Sequence, residues 1–171
     1  MGQSGSKKLV KIAVMGLDNS GKTTACQYLK DGTTGPTEPT TSFELSSLVR
    51  DGEEIELWDI GGMDKLPTFW RHYLVNVKGL IFVVDASDSA RFEEAAQFLN
   101  ALLEFPDLKG VKLLVLANKT DKNGVPDHWT VRNALGLQHV MDREWHLQPV
   151  VAAKGTGLNE GLRRLLALIH K

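Results

Sequence analysis

The chain has 171 residues, of which 42% are hydrophobic and 24% charged, values ordinary for one soluble globular domain with a full core. A net charge of −1 gives no footing for nucleic acid, and the one cysteine, Cys26, excludes an internal disulfide. No apolar run approaches the length of a membrane span and no hydrophobic signal peptide is present, so a cytoplasmic location is expected.

Met1-Gly2-Gln3-Ser4-Gly5-Ser6 fits M-G-x-x-x-[ST], the myristoylation pattern with Gly2 as acceptor. The alternative is a flexible Gly/Ser tail over residues 1–8, ahead of one domain over 9–171. A single acyl chain holds a membrane marginally, and Lys7 and Lys8 would be a weak second signal for peripheral contact with an intracellular membrane.

Leu9 to Met15 predicts a buried strand and Thr24 to Lys30 a helix, with Cys26 as a small core residue on it. Asp31 to Thr41 is a Gly/Pro/Thr-rich loop, long for a compact domain. Ser42 to Val49 and Glu54 to Ile60 read as strands joined at Asp51-Gly52, a two-residue hairpin signal. Gly61 to Asn76 predicts a loop running into an irregular helix. Gly79 to Ala86 is almost continuously apolar, as in a strand buried on both faces. Asp88 to Phe105 predicts a helix capped by Ser87 or Asp88, with Ala95, Leu99, Leu102 and Leu103 on its inner face. Val111 to Ala117 is another buried strand, Trp129 to Leu135 a short helix, and His146 to Ala152 the last strand. In the last helix, Leu158 to Ile169, the residues Leu158, Leu162, Leu165, Leu166 and Ile169 share a face. The alternation predicts an α/β fold: a six-stranded sheet, parallel apart from one hairpin strand, with helices on both faces.

Between the first strand and the first helix lies Gly16-Leu17-Asp18-Asn19-Ser20-Gly21-Lys22-Thr23, which fits the phosphate loop G-x-x-x-x-G-K-[ST]. A bend wrapping a triphosphate must aim backbone N–H groups inward, and Gly16 and Gly21 remove the Cβ atoms that would block it. Lys22 can charge-pair with the β- and γ-phosphates, and the Thr23 hydroxyl can ligate Mg²⁺. The helix N-terminus adds a dipole that favours the anion.

Further motifs fall at strand ends, where open α/β sheets bind ligands. Asp59-Ile60-Gly61-Gly62 is D-x-x-G, a carboxylate for the Mg²⁺ shell and a glycine amide for the γ-phosphate. Asn118-Lys119-Thr120-Asp121 is N-K-x-D. The Asp121 carboxylate can accept from N1 and N2 of guanine. Adenine lacks that donor pair, so a buried carboxylate left unpaired would disfavour ATP. Asn118 and Lys119 would brace the loop. Ala152-Ala153-Lys154 sits where a backbone amide could read guanine O6, and Thr40 can supply a second Mg²⁺ hydroxyl.

Taken together, the chain resembles a small GTPase of the ADP-ribosylation-factor (Arf and Arf-like) family. The resemblance is carried by G-L-D-N-S-G-K-T-T at 16–24, P-T-T-S-F-E at 39–44, W-D-I-G-G-M-D-K at 58–65 and W-R-H-Y at 70–73. V-V-D-A-S-D at 83–88, A-N-K-T-D at 117–121 and G-L-N-E-G-L at 157–162 complete it. It implies the P-loop NTPase, small G-protein fold. It also implies GTP or GDP with Mg²⁺ as cofactors, and a monomeric switch acting in vesicle trafficking. Nucleotide contacts are implied for Asp18, Asn19, Ser20, Gly21, Lys22, Thr23 and Thr24, for Thr40 and Gly62, for Asn118, Lys119 and Asp121, and for Ala152 and Ala153. Thr23 and Thr40 would hold Mg²⁺, with Asp59 in its outer shell. Switch I is implied around Pro36 to Phe43 and switch II over Gly61 to Tyr73, with the Ser42 to Ile60 hairpin between them shifting register between nucleotide states. Phe43, Trp58 and Tyr73 match the aromatic triad that effector proteins contact, although hairpin packing would account for them too. An exchange factor and an activating protein are further implied partners.

Three departures qualify this. The family glutamine that orients the attacking water is Met63 here, and a thioether is neither a useful donor nor a strong acceptor. No secure catalytic residue is therefore expected, and hydrolysis should be slow or factor-dependent. The switch I glycine is Ser42, next to Thr41, which restricts the backbone where the hairpin slides. The residues before the first strand lack the bulky apolar side chains of the family's amphipathic N-terminal helix. The competing readings are a GTP-binding module that hardly hydrolyses, favoured by Met63, and a P-loop ATPase or kinase, opposed by Asp121.

Overall fold

The computed structural model describes residues 8–37, 43–61 and 67–171, with residues 67–70 described by backbone alone. The elements run β1 (Leu9–Gly16), α1 (Lys22–Asp31), β2 (Phe43–Arg50), β3 (Glu53–Ile60), α2 (Pro67–Leu74), β4 (Gly79–Asp85), α3 (Phe92–Leu103), β5 (Lys112–Asn118), α4 (His128–Ala134), β6 (Trp145–Pro149) and α5 (Leu158–Ile169). They form one six-stranded sheet in the order β2-β3-β1-β4-β5-β6. All neighbours are parallel except β2 and β3. The expected α/β architecture is thus present.

Strand alternation divides the core in two. On one face Ile12, Val14, Ile55, Leu57, Ile81, Val83, Leu114 and Leu116 pack under α1 and α5. On the other, Ala13, Met15, Leu80, Phe82, Val84, Leu113, Val115 and Ala117 pack under α2, α3 and α4. The two faces of β4 and β5 are both apolar because helices cover both. In α5 the expected stripe is buried at Leu158, Leu162, Leu165 and Leu166, with Ile169 partly buried at its end.

The hairpin turn is as its sequence requires. Asp51 and Gly52 take φ of 51° and 80°, the left-handed pair that follows strand twist, and Arg50 pairs with Glu53 across it. The tip is tied to the helices beneath it. Arg50 Nη2 donates to Leu29 O at 2.7 Å and to Asn159 Oδ1 at 3.3 Å, and His170 Nε2 lies 2.7 Å from Glu53 Oε1. Lys8 continues the β1–β3 pairing ahead of β1, its carbonyl accepting from Glu54 N at 3.0 Å.

Element ends shift from expectation by a residue or two, and two of them shift further. A 3-10 turn over Ser89–Arg91 precedes α3, which starts at Phe92, and neither Ser87 nor Asp88 caps it through its side chain. Upstream, the Asp85 carboxylate accepts from both the N–H and the hydroxyl of Ser87, which holds that side chain back at the end of β4. The inner face of α3 also includes Phe92 and Phe98, while Leu103 is half-buried. The last strand stops at Pro149 instead of Ala152. Val150 N still donates to Ala117 O at 2.8 Å, but Val151 then pairs back on Thr156, and Ala152–Lys154 closes into a 3-10 turn.

Arg143 is a buried cation whose side chain has 0% exposure. It ends three chain segments at once, donating to Leu108 O at 2.7 Å, Leu103 O at 2.9 Å and Val111 O at 3.2 Å. Arg143→Met would leave those carbonyls short of a donor, and urea unfolding should show a loss of about 2–4 kcal/mol.

Candidate functional site

Strand order places the site. The connections from β1 lead to β3 on one side, and the next strand, β4, returns to β1's other side. The crevice at this reversal lies beyond the strands' C-terminal ends. There the phosphate loop follows β1, Asp59 to Gly61 closes β3, Asp85 ends β4, Asn118 ends β5, and the Ala152–Lys154 turn follows β6.

The glycines at the loop's two ends are required by the fold itself. Gly16 has φ 153° and Gly21 φ 103°, regions that side chains rarely adopt. A Cβ on Gly16 would strike the Val83 carbonyl oxygen, and one on Gly21 the Asn118 carboxamide. Clearance for a ligand, the reason suggested by the sequence, is therefore joined by clearance from β4 and β5.

Three successive carbonyls of the loop are each held by a side chain from elsewhere. Asp18 O accepts from Arg91 Nη1 at 3.1 Å, Asn19 O from Lys119 Nζ at 2.8 Å, and Ser20 O from Asn118 Nδ2 at 2.9 Å. Across a trans peptide the carbonyl and the following N–H point in opposite directions. Fixing these oxygens outward therefore turns the amides of Asn19, Ser20 and Gly21 the other way, the lining an anion needs, with the Ser20 N–H donating to Leu17 O at 3.3 Å in this structure. Asn19 holds φ 62°, a left-handed conformation that asparagine tolerates. Gly21 caps α1 with no side-chain hydrogen bond, so the first amides of that helix are left for an anion as well.

Lys22 lies at the start of α1 with its ammonium 3.3 Å from Leu17 O. Burial lowers its pKa, and the charges of Asp59 and Asp18 oppose that. Thr23 follows, its hydroxyl donating to Asp59 Oδ2 at 2.7 Å, with Asp59 itself buried. Thr24 is half-buried in the same turn. The Ser20 hydroxyl is buried with no hydrogen-bond partner among the described residues. A hydroxyl and a carboxylate side by side are oxygen donors of the kind that hold a hard divalent cation shared with phosphate. The donor set thus fits Mg²⁺, and the loop fits phosphate.

On the other side, one side chain joins three segments. Besides reaching Ser20, Asn118 accepts on Oδ1 from Lys119 N at 2.8 Å and from Ala152 N at 2.9 Å. Lys119 takes a left-handed φ of 65°, unusual for lysine, and its ammonium is shared between Asn19 O and Asp85 Oδ2, the latter at 2.9 Å. Burial pushes the Asp85 carboxyl up, but hydrogen bonds from Ser87 and Lys119 outweigh it and leave it below its ordinary value. Asp121 is exposed, with Lys154 Nζ at 3.5 Å. Any discrimination by Asp121 must therefore come from hydrogen bonds it forms, since it is not the buried carboxylate the sequence suggested. Ala153 O accepts from Thr34 Oγ1 at 2.8 Å, which ties this turn to the loop after α1.

The aromatic triad is assembled. Phe43 stacks on Trp58 with centroids 5.3 Å apart, and Tyr73 lies 4.6 Å from Phe43 and 6.1 Å from Trp58. Lys11 Nζ sits 4.3 Å over the Trp58 ring. Trp58 and Tyr73 lean on the core below, and Phe43 and Leu45 are exposed beside them. The cluster is thus both hairpin packing and open surface.

Gly2, Thr40, Thr41, Ser42, Gly62, Met63 and Asp64 lie outside the described residues. Two residues of the site had no assigned role in the sequence. Asp85 stands inside V-V-D-A-S-D, whose strand-end position was the available signal. Arg91 lies in no phosphate or base motif, and nothing in the sequence around it marks it.

A model of the ADP-ribosylation factor family matches residues 1–169. Among solved structures, the chain is similar to the Arl6 (BBS3) small GTPase of Trypanosoma brucei with a bound nucleotide analogue, GppNp. The two share 28% identity over 95% of this chain and 98% of that one, with a TM-score of 0.82. With the loop, the strand-end motifs and the sheet order in agreement, the chain belongs to the ADP-ribosylation factor family, and with it to the small GTP-binding switch proteins.

Proposed function

We propose that residues 9–171 act as one GTP-binding domain that cycles between GDP and GTP states and recruits effector proteins through switch I, switch II and the hairpin between them. The observation that carries this reading is the Asn118 side chain, which bonds the phosphate loop, the N-K-x-D backbone and the Ala152 turn at once. In this reading Asp18 to Thr24 receive the phosphates, while Asn118, Lys119, Asp121, Ala152 and Ala153 receive guanine. Thr23, with Thr40 and Asp59, holds Mg²⁺, which when bound would screen the phosphate charge. Gly62 would add its amide to the γ-phosphate. Phe43, Trp58 and Tyr73 supply the effector face, supported by their clustering at the surface.

Turnover is the step this chain performs least. Met63 stands where family members carry the water-orienting glutamine, and a thioether gives the water no strong partner. The GTP state would then persist until an activating protein supplies what Met63 lacks. A module that holds GTP with almost no hydrolysis is the second reading, favoured by the same residue. Gly2 acylation would add weak membrane contact.

Competition among GTP, ATP and XTP for the purified protein tests the nucleotide assignment. GTP should win over ATP by at least about a thousandfold, and comparable affinities would remove the guanine reading. Asp121→Asn should shift preference toward xanthine nucleotides, whose C2 oxygen replaces the guanine amino group. Asn118→Ala should weaken GDP and GTP alike by about a hundredfold, read by fluorescent-nucleotide titration. Met63→Gln should speed single-turnover GTP hydrolysis by at least about tenfold; an unchanged rate would refute the role given to Met63.

A further inference from the structure

Of the three donors that hold the loop carbonyls outward, Arg91 is the one that neither motif contains. Its guanidinium makes four hydrogen bonds. Nη1 donates to Asp18 O at 3.1 Å and Nη2 to Asp18 Oδ1 at 2.8 Å, while Nε donates to Glu94 Oε1 at 2.9 Å and Nη2 to Glu94 Oε2 at 3.2 Å. Arg91 thus grips a single phosphate-loop residue by main chain and side chain, and Glu94 in the first turn of α3 braces it from behind.

What it grips is a negative charge. Asp18 is the third residue of the phosphate loop, and its side chain is 67% exposed. It lies within the field of the Lys22 ammonium, the group assigned to the β- and γ-phosphates, and each of the two charges stabilises the other. A carboxylate in this position does not treat the two nucleotides equally, because GTP brings an additional charged phosphate and GDP does not. Bonded to Arg91, the carboxylate is directed toward the start of α3 and its charge is offset. Without Arg91, the exposed carboxylate keeps only the long 3.4 Å bond from Asn19 Nδ2 among the side-chain bonds described, and its charge is no longer balanced.

We propose that Arg91 is a positioning residue that sets the preference between GTP and GDP, by holding the Asp18 carboxylate at the start of α3 and away from the γ-phosphate. This rests on the guanine-nucleotide reading of the site and concerns which state of the switch that site favours. A purely structural brace would make a different prediction: loosening the loop would weaken both nucleotides by the same factor.

The test is a double-mutant cycle on affinities for GDP and a non-hydrolysable GTP analogue with Mg²⁺ present. Arg91→Ala should lower the triphosphate-to-diphosphate affinity ratio about fivefold, the size of one partly screened like-charge contact. Arg91→Lys should keep most of the ratio, since it retains a charge beside Asp18. Asp18→Asn combined with Arg91→Ala should bring the ratio back to within about twofold of Asp18→Asn alone. Raising salt from 0.1 M to 1 M should shrink the Arg91→Ala effect. Equal weakening of both nucleotides, or a ratio that stays low in the double variant, would overturn the inference and leave the nucleotide reading intact. If Arg91→Ala does not fold, Arg91→Gln carries the same expectation. Wild-type protein that binds neither nucleotide overturns the guanine reading and this inference together.

Discussion

The orientation of three peptide groups governs this molecule. An anion site made of main-chain amides exists only while the matching carbonyls are kept on the other side, and in this loop nothing within the loop does so. The restraint comes from Arg91 ahead of α3 and from Asn118 and Lys119 after β5. Those residues are positioned by the order of strands β1, β4 and β5, and that order by the two apolar faces that the helices cover. Packing of Val83, Leu114 and their neighbours is thereby converted into the direction in which a handful of N–H groups point.

The same arrangement couples regions that would otherwise be separate. Asn118 bonds to the phosphate loop with its amide nitrogen, and its oxygen takes the Lys119 and Ala152 amides. Disturbance of the base-side turn therefore reaches the phosphate side through one planar group. Thr34, after α1, adds a third party by donating to Ala153 O. A ligand contacting both sides would be felt by the loop that follows α1.

Much of this was legible in the sequence because it is local. The alternation of apolar runs set the element order, Asp51-Gly52 specified a turn with two positive φ angles, and the spacing of Gly16, Gly21, Lys22 and Thr23 carries its own chemistry. What escaped the sequence depends on partners distant in the chain. Arg91 acts on a residue 73 positions away. Ser87 is held instead at the end of β4, where Asp85 accepts from its N–H and hydroxyl. The end of β6 was set by Asn118 and Thr156, not by the propensities of Val150 and Val151. Asp121 looked like a buried specificity group and is an exposed one, since burial of a loop carboxylate depends on what the fold places over it.

The hairpin has a final consequence. On β3 the residues Ile55, Leu57 and Asp59 face α1, and the intervening Glu54, Glu56 and Trp58 face the other way. A slip of one residue against β1 would drive Glu54 and Glu56 under the helices and turn Ile55 and Leu57 out, so such a position is forbidden by parity. Any displacement of β3 along β1 would therefore be confined to steps of two residues, about 6.7 Å each. Each step must first release Arg50 and Glu53 from the ends of α1 and α5. Parity thus leaves the strand pair only discrete positions, and the contacts that hold the present one are at the hairpin tip, the end farthest from the phosphate loop.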